Sequence, residues 1–472
     1  MDLTYTPPTS LRAPAPAGGR YLGGLGACLL GYALFSRSFA YVGVPPLFVG
    51  EVMLAAGMVA ALRSGRLGDA FRSWPLRLWA VLVVWTVVRT VPYLGGEGFD
   101  ALSAPRDAML VLYGFYAVVV AAIVLADPDR LLALIRRYGT FVAVMLALAW
   151  LVFVVAKQFE GAIPDLPWVP IPALYAKGGD LMVHMTGIVA ALSLGLVRAS
   201  PLRWAAAAFS AGVIMVSNRG GMVAFALGLG LVWLMRPPGA GVGRFTYAFA
   251  ALLLLGLVVG PVVDARVQGG SRDVSVEQVV ENVKSVFGRS GSAALDGTRR
   301  WRMLWWGDIV DYTVHGPYFW TGKGFGINLA AADGYQLSED DGLRSPHNGH
   351  LTVLARAGVP GAALWALVHL TWFGAVVAAW WRARRADHRR WTAVFAWLAG
   401  FWTAAMVNAS FDVFLEGPMG AVWVWSMMGL GVAAVRLHAA RPDLLSRLDV
   451  PLSDPHGDAA RPPDPQGPAF RW

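Results

Sequence analysis

The residues best suited to chemistry lie in Ser345-Pro346-His347-Asn348-Gly349-His350-Leu351, where a long polar segment meets an apolar run. Histidine is the side chain whose unperturbed pKa lies closest to neutrality, so His347 is a candidate proton acceptor. Asn348 beside it can orient a ring or bond a sugar hydroxyl. The Ser-Pro step suits a helix start, and the structural alternative for His347-Asn348 is a helix cap or a core pair. His350 lies three residues on, which mimics metal-ligand spacing, with Glu339, Asp340 and Asp341 nearby in sequence. No H-E-x-x-H pattern accompanies it and a solvated acidic run accounts for 339–341, so no metal is expected.

Cations form the second group. Arg219 lies in Ser217-Asn218-Arg219-Gly220-Gly221, a turn between two closely spaced apolar runs. A charge so near a bilayer is costly unless paired or used, and a planar guanidinium suits a phosphate. Arg299, Arg300 and Arg302 interleave with Trp301, Trp305 and Trp306. Such a stretch either rests on lipid headgroups or clamps a departing diphosphate. Gly322, Gly324 and Gly326 have neither a preceding strand nor phosphate-loop spacing, so a turn after the Trp-rich helix is expected. His184 and Glu51 lie in or near apolar runs, where ionisable residues are functional hypotheses or helix-bridging hydrogen bonds.

The elements that must hold these residues are membrane helices. Of 472 residues, 56% are hydrophobic and 15% charged, against about 25% charged in soluble domains. The mean hydropathy is +0.52. The expectation is an all-α polytopic membrane protein with about twelve transmembrane helices. They fall near 21–38, 46–62, 76–94, 108–126, 138–156, 181–197, 202–217, 221–235, 245–263, 359–381, 391–409 and 416–436. The net charge of +9 does not point to nucleic acid. Most arginines occupy short connections, as orientation signals do. Connections 63–77, 127–137, 198–203, 236–244 and 382–390 carry them and are all even-numbered. That puts both termini in the cytoplasm and 264–346 outside. The expected organisation is a disordered cytoplasmic tail over 1–20, nine spans over 21–263 and a large extracytoplasmic loop over 264–346. Three further spans follow over 347–438, then a proline-rich disordered cytoplasmic tail over 439–472. The loop is expected to carry an amphipathic helix through Val276, Val279, Val280, Val283 and Val286, and a second helix over 297–314. No cleavable signal peptide is evident, so the first span is expected to serve as an uncleaved insertion signal. Cys28 is the only cysteine and excludes an intramolecular disulfide.

The pattern His347-Asn348-x2-Leu351-x2-Leu354-x3-Gly358-x2-Gly361 resembles the signature of the O-antigen ligase and polymerase superfamily. Arg302 with Trp306 resembles that family's Arg-x3-Trp helix, Gly322-x-Gly324-x-Gly326 its Gly-rich turn, and Ser217-x-Arg219-Gly220 its Ser-Arg-Gly turn. The resemblance implies a GT-C-like glycosyltransferase of the bacterial cytoplasmic (inner) membrane. It would move a glycan from an undecaprenyl-diphosphate donor to an acceptor hydroxyl on the outer face, with no cofactor, metal or nucleotide sugar. Carried onto this chain, His347 would be the base. Arg219 and Arg302, with Arg299 and Arg300 as alternatives, would hold the diphosphate, and Asn348, His350 and Ser217 would support them. The acceptor would be a lipid-core sugar (ligase), a repeat unit (polymerase) or a protein side chain. Arg356 departs from the pattern, since relatives often carry Glu there. Outside the family, a polysaccharide or lipid transporter is the rival; the halves show no repeat symmetry that would favour it.

Overall fold

The computed structural model describes residues 16–45, 47–91, 103–167, 169–215, 219–237, 293–336 and 342–448. The elements are α1 (Pro16–Ala40), β1 (Gly43–Val44), β2 (Leu47–Phe48), α2 (Val49–Ser64), α3 (Leu67–Ala70), α4 (Trp74–Thr90), α5 (Ser103–Leu112), α6 (Phe115–Ala126) and α7 (Asp129–Gln158). Then come β3 (Asp165–Leu166), β4 (Val169–Pro172), α8 (Gly178–Ser193), α9 (Pro201–Met215), α10 (Arg219–Met235), α11 (Ala293–Val314), α12 (Leu329–Ala332), α13 (Gly349–Arg385), α14 (Arg389–Ala409) and α15 (Pro418–Ala440). A 3-10 turn at Leu444–Arg447 follows. The strands form two antiparallel hairpins, β1–β2 with Gly43 opposite Phe48 and β3–β4 with Leu166 opposite Val169. Among the described residues the structure is thus helical with two short hairpins in the connections, consistent with an all-α membrane protein.

Among the described residues, six helices have the length and hydropathy to cross a membrane: Gly18–Ala40, Ser103–Ala126, Asp129–Gln158, Gly349–Arg385, Arg389–Ala409 and Pro418–Ala440. Every apolar run of the expected twelve other than 245–263 falls on a helix, but α2, α4, α8, α9 and α10 are only 15–17 residues long. At 1.5 Å per residue such helices reach about 24 Å, short of a ~30 Å hydrocarbon core. The hairpin before α2 and the turn after α8 take residues from the runs at 46–62 and 181–197. The run at 245–263 and the helix at 276–286 lie outside the described residues.

Other boundaries also differ from the sequence expectation. α1 starts at Pro16, inside the expected tail, and α11 starts at Ala293 rather than 297. The segment after 439 is packed where it is described, because Leu444, Leu445 and Leu448 are buried. α13 starts ten residues before the expected span at 359, because Asn348 caps it, its side chain accepting from the amides of His350 and Leu351 at 3.1 Å.

α6 is apolar on all sides and buried throughout, as befits the centre of a bundle. α15 packs beside it and is 89% buried over its apolar window, whereas α7 and α13 are each 33% buried and present broad apolar faces outward.

The connections segregate to two ends. At one end Ser38 Oγ donates to Pro172 O at 3.0 Å, Ser36 Oγ to Asp180 Oδ2 at 3.1 Å, and Arg89 Nε to Thr321 O at 2.8 Å. At the other, Arg384 Nη1 donates to Arg236 O at 2.9 Å and Arg390 Nη1 to Leu445 O at 2.8 Å, and Arg447 lies 3.6 Å from Asp129. The second end holds the arginine-rich connections.

Candidate functional site

The site end is built on a broken helix. Inside α13, Gly358 has φ 68° and ψ −174°, and Pro360 follows. Proline has no N–H and its ring crowds the carbonyl four residues back, which here belongs to Arg356. The break leaves the carbonyls of Ala355, Arg356 and Ala357 without helical partners, and other donors take them. The Lys323 amide donates to Ala355 O at 2.7 Å and the Gly324 amide to Arg356 O at 2.9 Å. Trp85 Nε1 donates to Ala357 O at 2.9 Å. The Val359 amide returns to Phe319 O at 2.8 Å. The Gly322–Gly326 turn is thus stitched into the break. Gly322 (φ +59°) has no room for a Cβ, which would fall 2.4 Å from the Arg356 carbonyl carbon. The Gly-rich turn and Gly358-x2-Gly361 are two halves of one interlocked joint, and the turn binds backbone rather than phosphate.

A buried ion cluster ties this joint to α5. Asp107 receives Arg356 Nη1 at 2.9 Å and Arg344 Nη2 at 3.1 Å. It also accepts the Gly326 amide at 3.1 Å. Arg356 reaches Ile327 O at 2.9 Å as well. The arginine that departs from the family pattern is therefore a structural cation, with its counter-ion on α5. Glu416 supplies a carboxylate nearby, bonded to Thr352 Oγ1 at 2.8 Å.

α11 brings Arg302 to the mouth of the bundle. Trp305 and Ile309 are buried against Leu329, Ala330 and Ala355. Trp305 Nε1 donates to Asp333 Oδ2 at 2.6 Å, and Asp333 pairs with Lys323. This clamp fixes the rotation of α11 and selects among its arginines. Arg300 is exposed, and the side chain of Arg299 lies outside the described residues. Arg302 is half-buried and its Nη1 donates to Phe411 O at 3.0 Å. Burial pulls its guanidinium below the usual range, with the charge of Asp412 opposing that shift. Its Nε is buried with no hydrogen-bond partner among the described residues.

One helical turn on, Trp306 Nε1 donates to Pro346 O at 2.9 Å. That bond holds the residue preceding His347. His347 itself is partly exposed and has φ +54°, a left-handed conformation uncommon for a residue with a Cβ and found disproportionately at functional sites. Arg302 and His347 are thereby joined through Trp306. His350 faces inward instead. Its Nδ1 lies 3.1 Å from Trp365 Nε1, which can only donate. Nε2 must then carry the proton and donate to Met406 O at 3.1 Å. Both nitrogens are occupied, Nδ1 across the break within α13 and Nε2 in tying α13 to α14, and among the described residues no group of His, Cys, Asp and Glu could hold a metal.

Arg219 is the first residue of α10. Its side chain, and all of Ser217, lie outside the described residues. The start of α10 is placed by close contact, since a Cβ on Gly221 would lie 3.1 Å from Gly179 Cα. That sets the starts of α8 and α10 against each other. Lys177 is the N-cap residue of α8 and pairs with Asp412. The backbone of Arg219 and the side chains of Lys177, Asp412 and Arg302 therefore meet at one end of the bundle.

Lys177, Asp180 and Asp412 escaped the sequence reading. Lys177-Gly-Gly repeats the pattern of Arg219-Gly-Gly, a cation at the edge of an apolar run on the side poor in arginine. The cost of an unpaired charge beside a bilayer applies to Lys177 as it does to Arg219. Asp180 and Asp412 carry no such signal, because their partners are remote in sequence. Asn408 Nδ2 donates to Asp180 Oδ1 at 3.4 Å. Glu51 is a cap and bridge: it accepts the Phe48 amide at 3.2 Å and the Tyr113 hydroxyl at 2.7 Å. His184 is buried, in edge contact with Phe141 and with Trp423 at 4.9 Å between ring centroids.

No curated protein matches the chain. Residues 204–366 match the family model described as O-antigen ligase, whose members are glycosyltransferase-like ligases and polymerases. That stretch runs from α9 through the Arg302 helix and the Gly-rich joint to the first part of α13, and over it the chain is similar to the O-antigen ligase family.

Proposed function

We propose that the chain is a glycosyltransferase that moves a glycan from an undecaprenyl-diphosphate donor to an acceptor hydroxyl at the outer face of the bacterial cytoplasmic membrane. The observation that carries this reading is the Trp306–Pro346 bond, which sets His347 beside a helix whose Arg302 is half-buried and cationic. A lipid diphosphate is already an activated leaving group, so the protein need supply only a base, fixed cations and alignment. The acceptor hydroxyl gives its proton to His347 and its oxygen attacks the anomeric carbon. The bond from that carbon to the phosphate oxygen breaks, and the electron pair leaves with the lipid diphosphate. Arg302 and Arg219 stabilise the negative charge that develops there. No step requires a metal or a nucleotide sugar.

The orientation follows from the two ends of the bundle. The end with Arg236, Arg384, Arg390 and Arg447 faces the cytoplasm by the positive-inside rule, which puts the His347 end outside. The segment 238–292 has its flanks at opposite ends, Arg236 bonded to Arg384 and Arg302 to Phe411. That supports twelve crossings, the shorter helices spanning with local thinning of the bilayer. The outward apolar faces of α7 and α13 suit a GT-C-like bundle that admits a lipid donor sideways.

The test is single-turnover transfer by purified protein from an undecaprenyl-diphosphate glycan, reading release of undecaprenyl diphosphate. His347→Asn keeps a residue that tolerates positive φ and removes the base. It should leave the melting temperature near wild type and lower the rate by about 100-fold or more. Transfer at the normal rate by His347→Asn would remove His347 from the mechanism. Product length separates a single addition (ligase) from a ladder (polymerase).

A further inference from the structure

We propose that Lys177 is a further diphosphate-binding residue, and that the Asp412 carboxylate occupies its site until the donor displaces it. The inference rests on the glycosyltransferase reading above and extends its anion site to α8. Lys177 and Arg302 approach Asp412 from different elements, the start of α8 and the middle of α11. Lys177 pairs directly with its carboxylate, and Arg302 bonds the preceding carbonyl, Phe411 O, at 3.0 Å. The Asp412 side chain is 8% exposed and that of Lys177 22%, so the pair is shielded yet open to the mouth. Burial alone would pull the Lys177 ammonium down, but the charges of Asp412 and Asp180 outweigh it and leave it above its usual range. Lys177 therefore stays cationic. One donor in this cluster lacks a partner: Arg302 Nε is buried and unbonded among the described residues. A diphosphate oxygen can satisfy it where the monodentate protein contact does not. Asp412 also accepts the Val413 amide at 2.7 Å, so it keeps a hydrogen bond when Lys177 leaves it.

The charge balance explains why such a stand-in is useful. Lys177 and Arg302 each feel the charge of Asp412, which serves as their shared counter-ion while the site is empty. A diphosphate joined to lipid and sugar carries two negative charges. After transfer it has one ester link fewer and carries about three near neutral pH. It gains charge as the bond breaks, which favours moving Lys177 from the single charge of Asp412 to the leaving group. The glycine contact between α8 and α10 places Lys177 on the same side as the start of Arg219's helix, so the diphosphate is approached from three elements.

The test is equilibrium binding of undecaprenyl diphosphate to the purified full chain in nanodiscs, read by tryptophan fluorescence, with undecaprenyl monophosphate as control. Lys177→Met should weaken diphosphate binding by about tenfold, and Lys177→Arg should retain most of it. Asp412→Asn can still accept the Val413 amide and should tighten binding several-fold, because its competing charge is gone. Opposite signs for Lys177→Met and Asp412→Asn establish the exchange. Weakened binding in both, together with lower melting temperatures, would make the pair a structural tie and overturn the inference. So would unchanged binding in Lys177→Met. Failure of the wild-type chain to prefer the diphosphate would instead refute the glycosyltransferase reading on which the inference stands.

Discussion

Removal of the Asp107 carboxylate should be among the most damaging single changes at the site end. Asp107 receives three donors, from Arg356, Arg344 and the Gly326 amide, and its side chain is 7% exposed while that of Arg356 is 2% exposed. Asp107→Ala strands a buried guanidinium, which costs about 3–5 kcal/mol. The Arg344 contact adds little, because that side chain is 25% exposed and screened by water. The Gly326 amide loses its acceptor, for a further ~1 kcal/mol. The expected total is about 4–6 kcal/mol. In the double variant Asp107→Ala/Arg356→Met the stranded charge is gone and only the amide term and imperfect packing remain, about 1–2 kcal/mol, so the coupling between the two sites should be on the order of 3 kcal/mol. The assay is reversible unfolding of the purified protein in mixed micelles, in the four variants of a double-mutant cycle. A cost below ~1 kcal/mol for Asp107→Ala, or a double variant no more stable than Asp107→Ala, would refute the view that Arg356 is a structural cation held by α5.

Two further outcomes test how the joint and the base are held. Trp306→Phe keeps the ring but loses the donor to Pro346 O, so transfer should slow by about tenfold with a stability loss near 1 kcal/mol; an unchanged initial rate would show that this bond does not position His347. Gly322→Ala introduces a Cβ into the Arg356 backbone at positive φ and should destabilise by more than ~2 kcal/mol. Gly334→Ala, with φ +77° but nothing within 4 Å of its Cβ, should cost only about 1 kcal/mol. Equal melting temperatures for the two would deny the interlock.

Much of the site was legible because its signals are local. Asn348 as a cap, the turn at Gly322–Gly326 and the Trp-rich helix bearing Arg302 each follow from residues a few positions apart. The face of α11 was not legible, since three arginines share four positions and only the burial of Trp305 and Ile309 fixes which one turns inward. The role of Arg356 needed Asp107, 249 positions away in the chain (356 minus 107). Helix ends were less legible, since α7 runs over 129–158 against an expected 138–156 and α13 over 349–385 against 359–381. Hydropathy averages over a window and does not see a cap, a kink such as Gly358 or a hairpin that consumes apolar residues at each end.

The bonds that close the mouth join segments made at very different times. Ser36 meets Asp180 across 144 positions, Lys177 meets Asp412 across 235 and Arg302 meets Phe411 across 109. The short connection between α14 and α15 is thus the keystone, translated long after the cations it neutralises. A nascent chain halted before it would present Lys177 and Arg302 without their counter-charge. Assembly of the pocket is therefore a late event in biogenesis. Membrane insertion and catalytic competence should separate cleanly in chains stopped on either side of Asp412.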